Sequence, residues 1–317
     1  MSDVLFRLVT IVAMLMAALT IAAGLIWFER RLLALWQDRY GPNRVGPFGL
    51  MQVVADVIKI FTKEDWIPPF ADRAVFVLAP AIVFAAGLMG FAILPVASAI
   101  AVVHLNIGVL YFLAVASLGA YGVVLAGWSS HSKYPLLGGL RAVAQTLAYE
   151  VFMGLSLMGV VMLAGSFDLR DIVEAQTRLW FCVPQVLGLA VFFIAGLAEA
   201  HRSPFDLPEA DSELVAGYHV EYSGMKFGMF FVGEYLSITL ISAMIAVLFF
   251  GGWQGPLLPP VVWFLIKTFA FILLFILMRA TLPRPRYDQL MALGWKLLLP
   301  LTLLNLLVTG GILLWLG

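Results

Sequence analysis

The sequence predicts an all-α integral membrane protein of eight transmembrane helices, with an amphipathic helix on the cytoplasmic side and a short helix in an acidic loop. Three observations carry this reading. Of the 317 residues 62% are apolar and only 12% are charged, with mean hydropathy +1.00, which excludes an ordinary soluble domain. Apolar windows of roughly the length that crosses a bilayer as a helix fall at 4–28, 75–97, 107–127, 142–164, 183–198, 227–250, 260–278 and 297–316. These runs are long and lack the strict alternation of membrane β-strands, which excludes a barrel. The whole of 1–317 reads as one polytopic domain. If the loops at 29–73, 128–141, 199–226 and 279–296 share a side, that side holds 15 of the 19 Lys and Arg. The positive-inside rule then places both termini on the periplasmic or equivalent side.

The first window is too long for a cleaved signal, lacks a small-residue cleavage site, and is followed, not preceded, by its basic cluster, Glu29-Arg30-Arg31. A Gly/Pro-rich turn at 41–49 leads into a helix over 50–62, where Gln52, Asp56, Lys59 and Lys63 recur at spacings of four, three and four. So thin a polar stripe fits a helix lining a polar cavity better than one lying on a surface. The second and third windows carry Pro80 and Pro95 and no charge, and read as scaffold.

The fourth window carries Glu150, nine residues beyond Arg141, which at about 1.5 Å per residue lies roughly 13 Å deep. A carboxyl at that depth must be protonated, paired or facing water, and function is its default reading. Glu234 repeats the pattern ten residues beyond Gly224, and Glu199 closes the fifth window. Lys267, in the seventh, either snorkels outward or pairs with a buried acid. The last loop is basic, with Arg279, Arg284, Arg286 and Lys296, and its first reading is contact with anionic lipid headgroups.

The stretch EAHRSPFDLPEADSELVAGYHVEYSG, 199–224, holds six of the 19 acidic residues between two apolar runs. Asp206 and Glu209 have capping-box spacing, Pro208 suits a first turn and Gly217 can stop the helix. Glu209 and Glu213 then share a face at i,i+4, with Asp211 pointing elsewhere. Phe205, Tyr218 and Tyr222 among these acids favour a packed loop over a solvated one.

SPFDLPEADSELVAGYHVEYSGMKF closely resembles the acidic loop of the H-subunit family of respiratory complex I, the proton-pumping NADH:quinone oxidoreductase. ERR, GPNRVGPFGLMQ and AQTLAYEVFMGLSLMGVVMLAGSFDLRDIVEAQ resemble other segments of the same family, so the likeness runs from Glu29 to the last helix. The chain departs from many relatives in having His201 for Asn and Asp211 for Glu, both of which keep a polar or acidic group. The resemblance implies an inner-membrane protein, bacterial or mitochondrial, whose loop faces the cytoplasm or matrix beside a quinone chamber. It implies proton handling by Glu150, Glu199, Glu209, Asp211, Glu213, Glu221 and Glu234. It puts Trp27, Phe28, Arg30, Gln52, Asp56, Lys59 and Phe205 at the quinone access. Quinone, with ubiquinone the first choice, is the implied substrate. NADH, FMN and iron–sulfur clusters belong to peripheral-arm partners, and other membrane-arm subunits and lipid are the remaining neighbours; no nucleic acid is implied.

The chain itself offers no redox group. A single cysteine, Cys182, cannot hold a cluster, no Gly-rich dinucleotide turn is present, and His104, His131, His201 and His219 show no ligand spacing. Two other classes stay open on sequence alone. One is the membrane subunit of an ion-translocating hydrogenase, against which GPNRVGPFGLMQ counts. The other is a stand-alone secondary transporter, against which the lack of an internal inverted repeat counts.

Overall fold

Residues 2–98, 100–207 and 217–316 are described in the computed structural model of the chain. Inside a bilayer every backbone N–H and C=O must bond within its own segment, and sequences this apolar therefore fold as helices. The helices are α1 (Ser2–Trp36), α2 (Met51–Thr62), α3 (Arg73–Gly90), α4 (Gly108–Ser129), α5 (Lys133–Ala164) and α6 (Leu169–Ala175). They continue with α7 (Val186–Glu199), α8 (Gly224–Phe249), α9 (Pro260–Thr281), α10 (Tyr287–Leu293) and α11 (Leu299–Leu316), the last two joined by a π-helical turn at Gly294–Leu298. Among the described residues no strand is present. The protein is an all-α integral membrane protein.

Among the described residues seven helical stretches are long and apolar enough to cross a membrane. The fifth window, α7, is apolar but has only 14 residues, short of the ~20 that span a bilayer. Other bounds move as well. Helix α1 continues through Glu29-Arg30-Arg31 to Trp36, and the last inner loop turns helical at Tyr287.

Helix α5 begins at Lys133, where the charge of Arg141 had marked the start at 142. Pro135 fits its first turn, where no amide donor is needed. Gly138 lies against the backbone of Gly217 and Tyr218, too close for a side chain. Glu150 is therefore 17 residues into a helix of 32, about 26 Å along it.

Helix α8 is the hub, packed against α1, α2, α3, α6, α7 and α9, and 78% of its central window is buried. Small residues let the neighbouring backbones close in. Val83 of α3 is gripped between glycines: a Cβ on Gly122 of α4 would overlap it, and one on Gly233 of α8 would stand 3.1 Å away. The far end of α8 is finished by Lys267 of α9, which donates to the carbonyls of Phe250 (2.6 Å), Gly252 (3.1 Å) and Gln254 (2.6 Å). Its ammonium also lies 4.5 Å from the Trp180 ring centroid. The sequence left snorkelling or an acid partner open for this lysine; its hydrogen-bond partners are carbonyls at a helix C-terminus, where a cation is favoured.

Candidate functional site

Four charged side chains from four parts of the chain meet at the end of the bundle where α8 begins. Glu29 of α1 is 3% exposed and Arg202, in the loop after α7, is 5% exposed. Arg202 donates from Nη1 to Glu29 Oε1 at 2.9 Å. Its Nε lies 2.5 Å from Oε1 of Glu234 on α8, a close ion pair without hydrogen-bond alignment. Arg279 of α9 closes the chain by donating to Glu29, and the Arg202 guanidinium sits 4.4 Å from the ring centroid of Tyr235. Burial alone would lower the Arg202 pKa, but the carboxylates of Glu234 and Glu29 outweigh it and raise the pKa above the usual arginine value. A buried arginine of this kind is a permanent charge that organises carboxylates around it.

The end of α7 explains how Arg202 gets there. The Arg202 N–H bonds the carbonyl of Leu197 and the His201 N–H that of Ala198, with His201 at φ +50°. This is the paired bonding of a Schellman cap, which reverses the chain after the last helical turn. Gln145 of α5 fixes the reversed loop by donating to the carbonyls of Ala198 (2.9 Å) and Phe205 (2.7 Å). Beyond the loop Arg284 grips Asp206 in a fork, Nε to Oδ1 at 2.8 Å and Nη2 to Oδ2 at 2.5 Å, the geometry that suits arginine and carboxylate.

Among the described residues two cavities large enough for several waters adjoin this ion chain. The outer one, a vestibule of about 150 Å³, is lined by Arg202, Asp206, His219, Arg279 and Arg284 among others. The inner one, about 60 Å³ and mostly apolar, runs between α3, α4 and α8 to Glu199 and Ser237. His201, Phe230 and Glu234 line both. Beyond the inner cavity Glu150 lies within electrostatic reach of Glu199 and hydrogen-bond reach of Ser117. Oε1 of Glu150 and Oε2 of Glu199 are inaccessible and have no hydrogen-bond partner among the described residues. Glu234, Glu199 and Glu150 thus succeed one another across α8, α7 and α5.

The remaining acids of the predicted array are placed differently. Glu221 is half-buried beside the 3-10 turn at Gly217–His219 and is not among the described residues lining either cavity. Glu209, Asp211 and Glu213, with the expected loop helix, lie outside the described residues.

Of the predicted access residues, Trp27, Arg30, Gln52 and Asp56 meet around the junction of α1 and α2. Arg30 donates to Asp56 at 2.6 Å, and Gln52 donates to the other Asp56 oxygen at 2.9 Å. Trp27 donates its indole N–H to the carbonyl of Phe48, which also accepts from Arg31. Phe28 packs on Phe269 of α9 at 5.2 Å. Lys59 is exposed and the Asp56 oxygens are engaged elsewhere, so the polar stripe of α2 turns Gln52 and Asp56 toward α1. The opposite side of α2 shows Met51, Val54, Ile58 and Phe61 to the surroundings. Phe205 is 6% exposed and packs on Tyr149 at 5.6 Å; it lines neither cavity.

Glu29, Arg202, Arg279 and the Asp206–Arg284 pair were not singled out from sequence as a site. Arg279, Arg284 and Arg286, read first as lipid contacts, are paired within the chain to Glu29, Asp206 and Asp288. The only signal was the charge of these residues, since Glu29 and Arg279 stand 250 positions apart. Among the described residues no group of three or more His, Cys, Asp or Glu is placed to hold a metal ion.

The family model described as NADH dehydrogenase matches residues 9–310. The chain is 62% identical over 303 residues to a Methylococcus capsulatus protein named as the H subunit of NADH-quinone oxidoreductase, a match covering 95% of this chain and 96% of that protein. Matched over nearly its whole length, the chain belongs to the NADH dehydrogenase family of membrane proteins.

Proposed function

We propose that the chain is the H-type membrane component of an NADH-quinone oxidoreductase in an inner membrane, where it admits quinone and couples its reduction to proton movement. The observation that carries the coupling is the pair of cavities meeting at His201 and Glu234, with Glu199 and Glu150 beyond them. Quinone, as ubiquinone, is the substrate, while NADH, FMN and iron–sulfur clusters are held by partner chains of the peripheral arm. Other membrane-arm subunits and lipid cover the remaining apolar helix faces. Glu209, Asp211, Glu213 and Glu221 extend the carboxylate array toward the inner face. Purification through a tag on this chain should bring down flavin- and cluster-bearing partners with quinone-dependent NADH oxidation. A monomer that moves protons alone in liposomes would instead identify a transporter.

Quinone access is assigned to the α1–α2 junction. The Arg30–Asp56 pair is half exposed, 46% and 29% at its side chains, so breaking it should cost stability only about 0–1 kcal/mol. Its loss would nonetheless loosen the contact between α2 and α1. Asp56→Asn and Arg30→Ala in the assembled complex should raise the KM for a long-tailed quinone several-fold while electron delivery to a water-soluble acceptor persists. An unchanged KM in both variants removes these residues from the access route.

The loops that carry Arg30, Arg202 and Arg284 face the cytoplasm in this reading, with α7 completing an eighth crossing and both termini outside. Reporter fusions in 166–178 and at 220–223 should then give opposite signals. Equal signals refute the arrangement.

A further inference from the structure

Helix α2, assigned above to the quinone access, is lightly held: none of its residues is buried. Arg30 fastens it to α1 through Asp56. Its other end meets the start of α8. Ile60 lies over Gly228, where a Cβ would stand 2.9 Å from the Ile60 side chain. Three residues past the end of α2, Asp65 pairs with Lys226 of α8, Oδ2 to Nζ at 2.6 Å. Ser223 donates to the carbonyl of Glu64 at 3.4 Å beside it. The pair is lopsided, since the Lys226 side chain is 8% exposed and that of Asp65 43%. The ammonium lies 5.9 Å from the ring centroid of Phe76, which stacks on Tyr222 at 4.0 Å. A buried ammonium is costly without a partner, so this lysine is not a solvated charge that happens to touch an acid. Along α8, Phe230 and Glu234 follow Lys226 by one and two turns on the same face, and both line the two cavities.

We propose that Lys226 is a positioning residue for quinone access: through Asp65 it anchors the far end of α2 to the face of α8 that lines the cavities. The apolar side of α2, with Met51, Val54, Ile58 and Phe61, is then held at both ends, at Arg30 and at Lys226, in the orientation that lets an apolar quinone tail pass. A headgroup without a tail makes no use of that side. The inference rests on the access assignment above and adds to it the second anchor of the helix. The lopsided burial makes a clean test possible. Removing Asp65 would strand a buried ammonium and threaten the fold. Lys226→Met instead removes the charge, keeps an unbranched side chain in the buried slot, and leaves behind an aspartate that water reaches.

The test is NADH oxidation by the whole membrane-embedded complex, with a long-tailed quinone and a tail-less analogue compared. Lys226→Met should assemble and melt as the native complex does. It should raise KM for the long-tailed quinone several-fold with kcat nearly unchanged, and leave KM for the tail-less analogue as it was. Lys226→Glu, which sets a second carboxylate against Asp65, should raise the long-tail KM further. Adding Asp65→Lys to it should bring KM back toward native, because the reversed pair can form. A purely structural lysine would move melting and assembly but not the difference between the two quinones. A native long-tail KM in assembled Lys226→Met overturns the proposal. So does an equal rise in KM for both quinones, a reversed pair no better than Lys226→Glu alone, or failure of Lys226→Met to assemble. Asp56→Asn and Arg30→Ala separate the two levels. If they too leave KM unchanged, the access assignment itself fails; if they raise it while Lys226→Met stays native, only the anchor fails.

Discussion

Replacing Arg202 with alanine should leave the complex unassembled or sharply lower its melting temperature, the largest structural effect expected of any single substitution in this chain. Arg202, itself 5% exposed in the loop behind α7, holds Glu29 at 2.9 Å and Glu234 at 2.5 Å. Removing one partner of a buried ion pair costs about 3–5 kcal/mol, because the charge left behind is neither solvated nor matched. Here the cation serves two carboxylates, and Glu29 keeps a second arginine, Arg279. Three helices lose a common anchor in one step, since Glu29, Glu234 and Arg279 belong to α1, α8 and α9. Arg202→Lys retains the charge but not the planar fork that reaches in two directions, and should fall between alanine and the native residue. Arg202→Met combined with Glu234→Gln removes both members of the second pair and should be more stable than Arg202→Ala alone. Thermal denaturation of the solubilised complex orders the four proteins. Native melting in Arg202→Ala would show that the ion chain does not hold the bundle.

Glu150→Gln and Glu199→Gln should assemble normally and lose most quinone-linked proton pumping, the largest functional effect expected. Glutamine keeps the shape and most of the hydrogen bonding of glutamate, including the reach of Glu150 to Ser117, but removes the titrating proton. Glu150 and Glu199 lie within electrostatic reach of one another, so they should titrate as an ensemble, and deleting either disables the pair. The magnitudes are compatible with pumping. Carrying one charge against 100 mV takes about 2.3 kcal/mol, and each pKa unit of difference between two states of a site is worth about 1.4 kcal/mol. A swing of about two units is therefore enough at that potential. Pumping and NADH oxidation measured on matched amounts of assembled complex decide the matter. Undiminished pumping in both variants would reduce these carboxylates to structural groups, and failure to assemble would favour the same conclusion.

How much of the site was legible differs from residue to residue. Glu150 and Glu234 were found because an ionisable group inside an apolar window stands out against its neighbours. The α2 stripe was found from periodicity, but periodicity gives only which residues share a face, and that face turned out to meet Arg30. Phe205 was read as an access residue from its place in the motif, whereas the loop reversal that buries it against Tyr149 depends on Gln145, 60 positions away. The start of α5 was missed because Pro135, Gly138 and Gly139 look like loop residues until α4 and the Gly217–His219 turn are set beside them.

The sequence by itself determined the membrane class, the sites of nearly all the helices and the family, through composition, apolar length and contiguous motifs. All three are written in neighbouring residues, because the bilayer acts on each segment separately. Only the tertiary structure decided that Glu29, Arg202, Glu234 and Arg279 form one buried chain, that Asp206 belongs to Arg284, and that His201 joins two cavities. A charge in a loop can be solvated, bound to lipid or paired, and which it becomes depends on partners brought together by helix packing up to 250 residues apart.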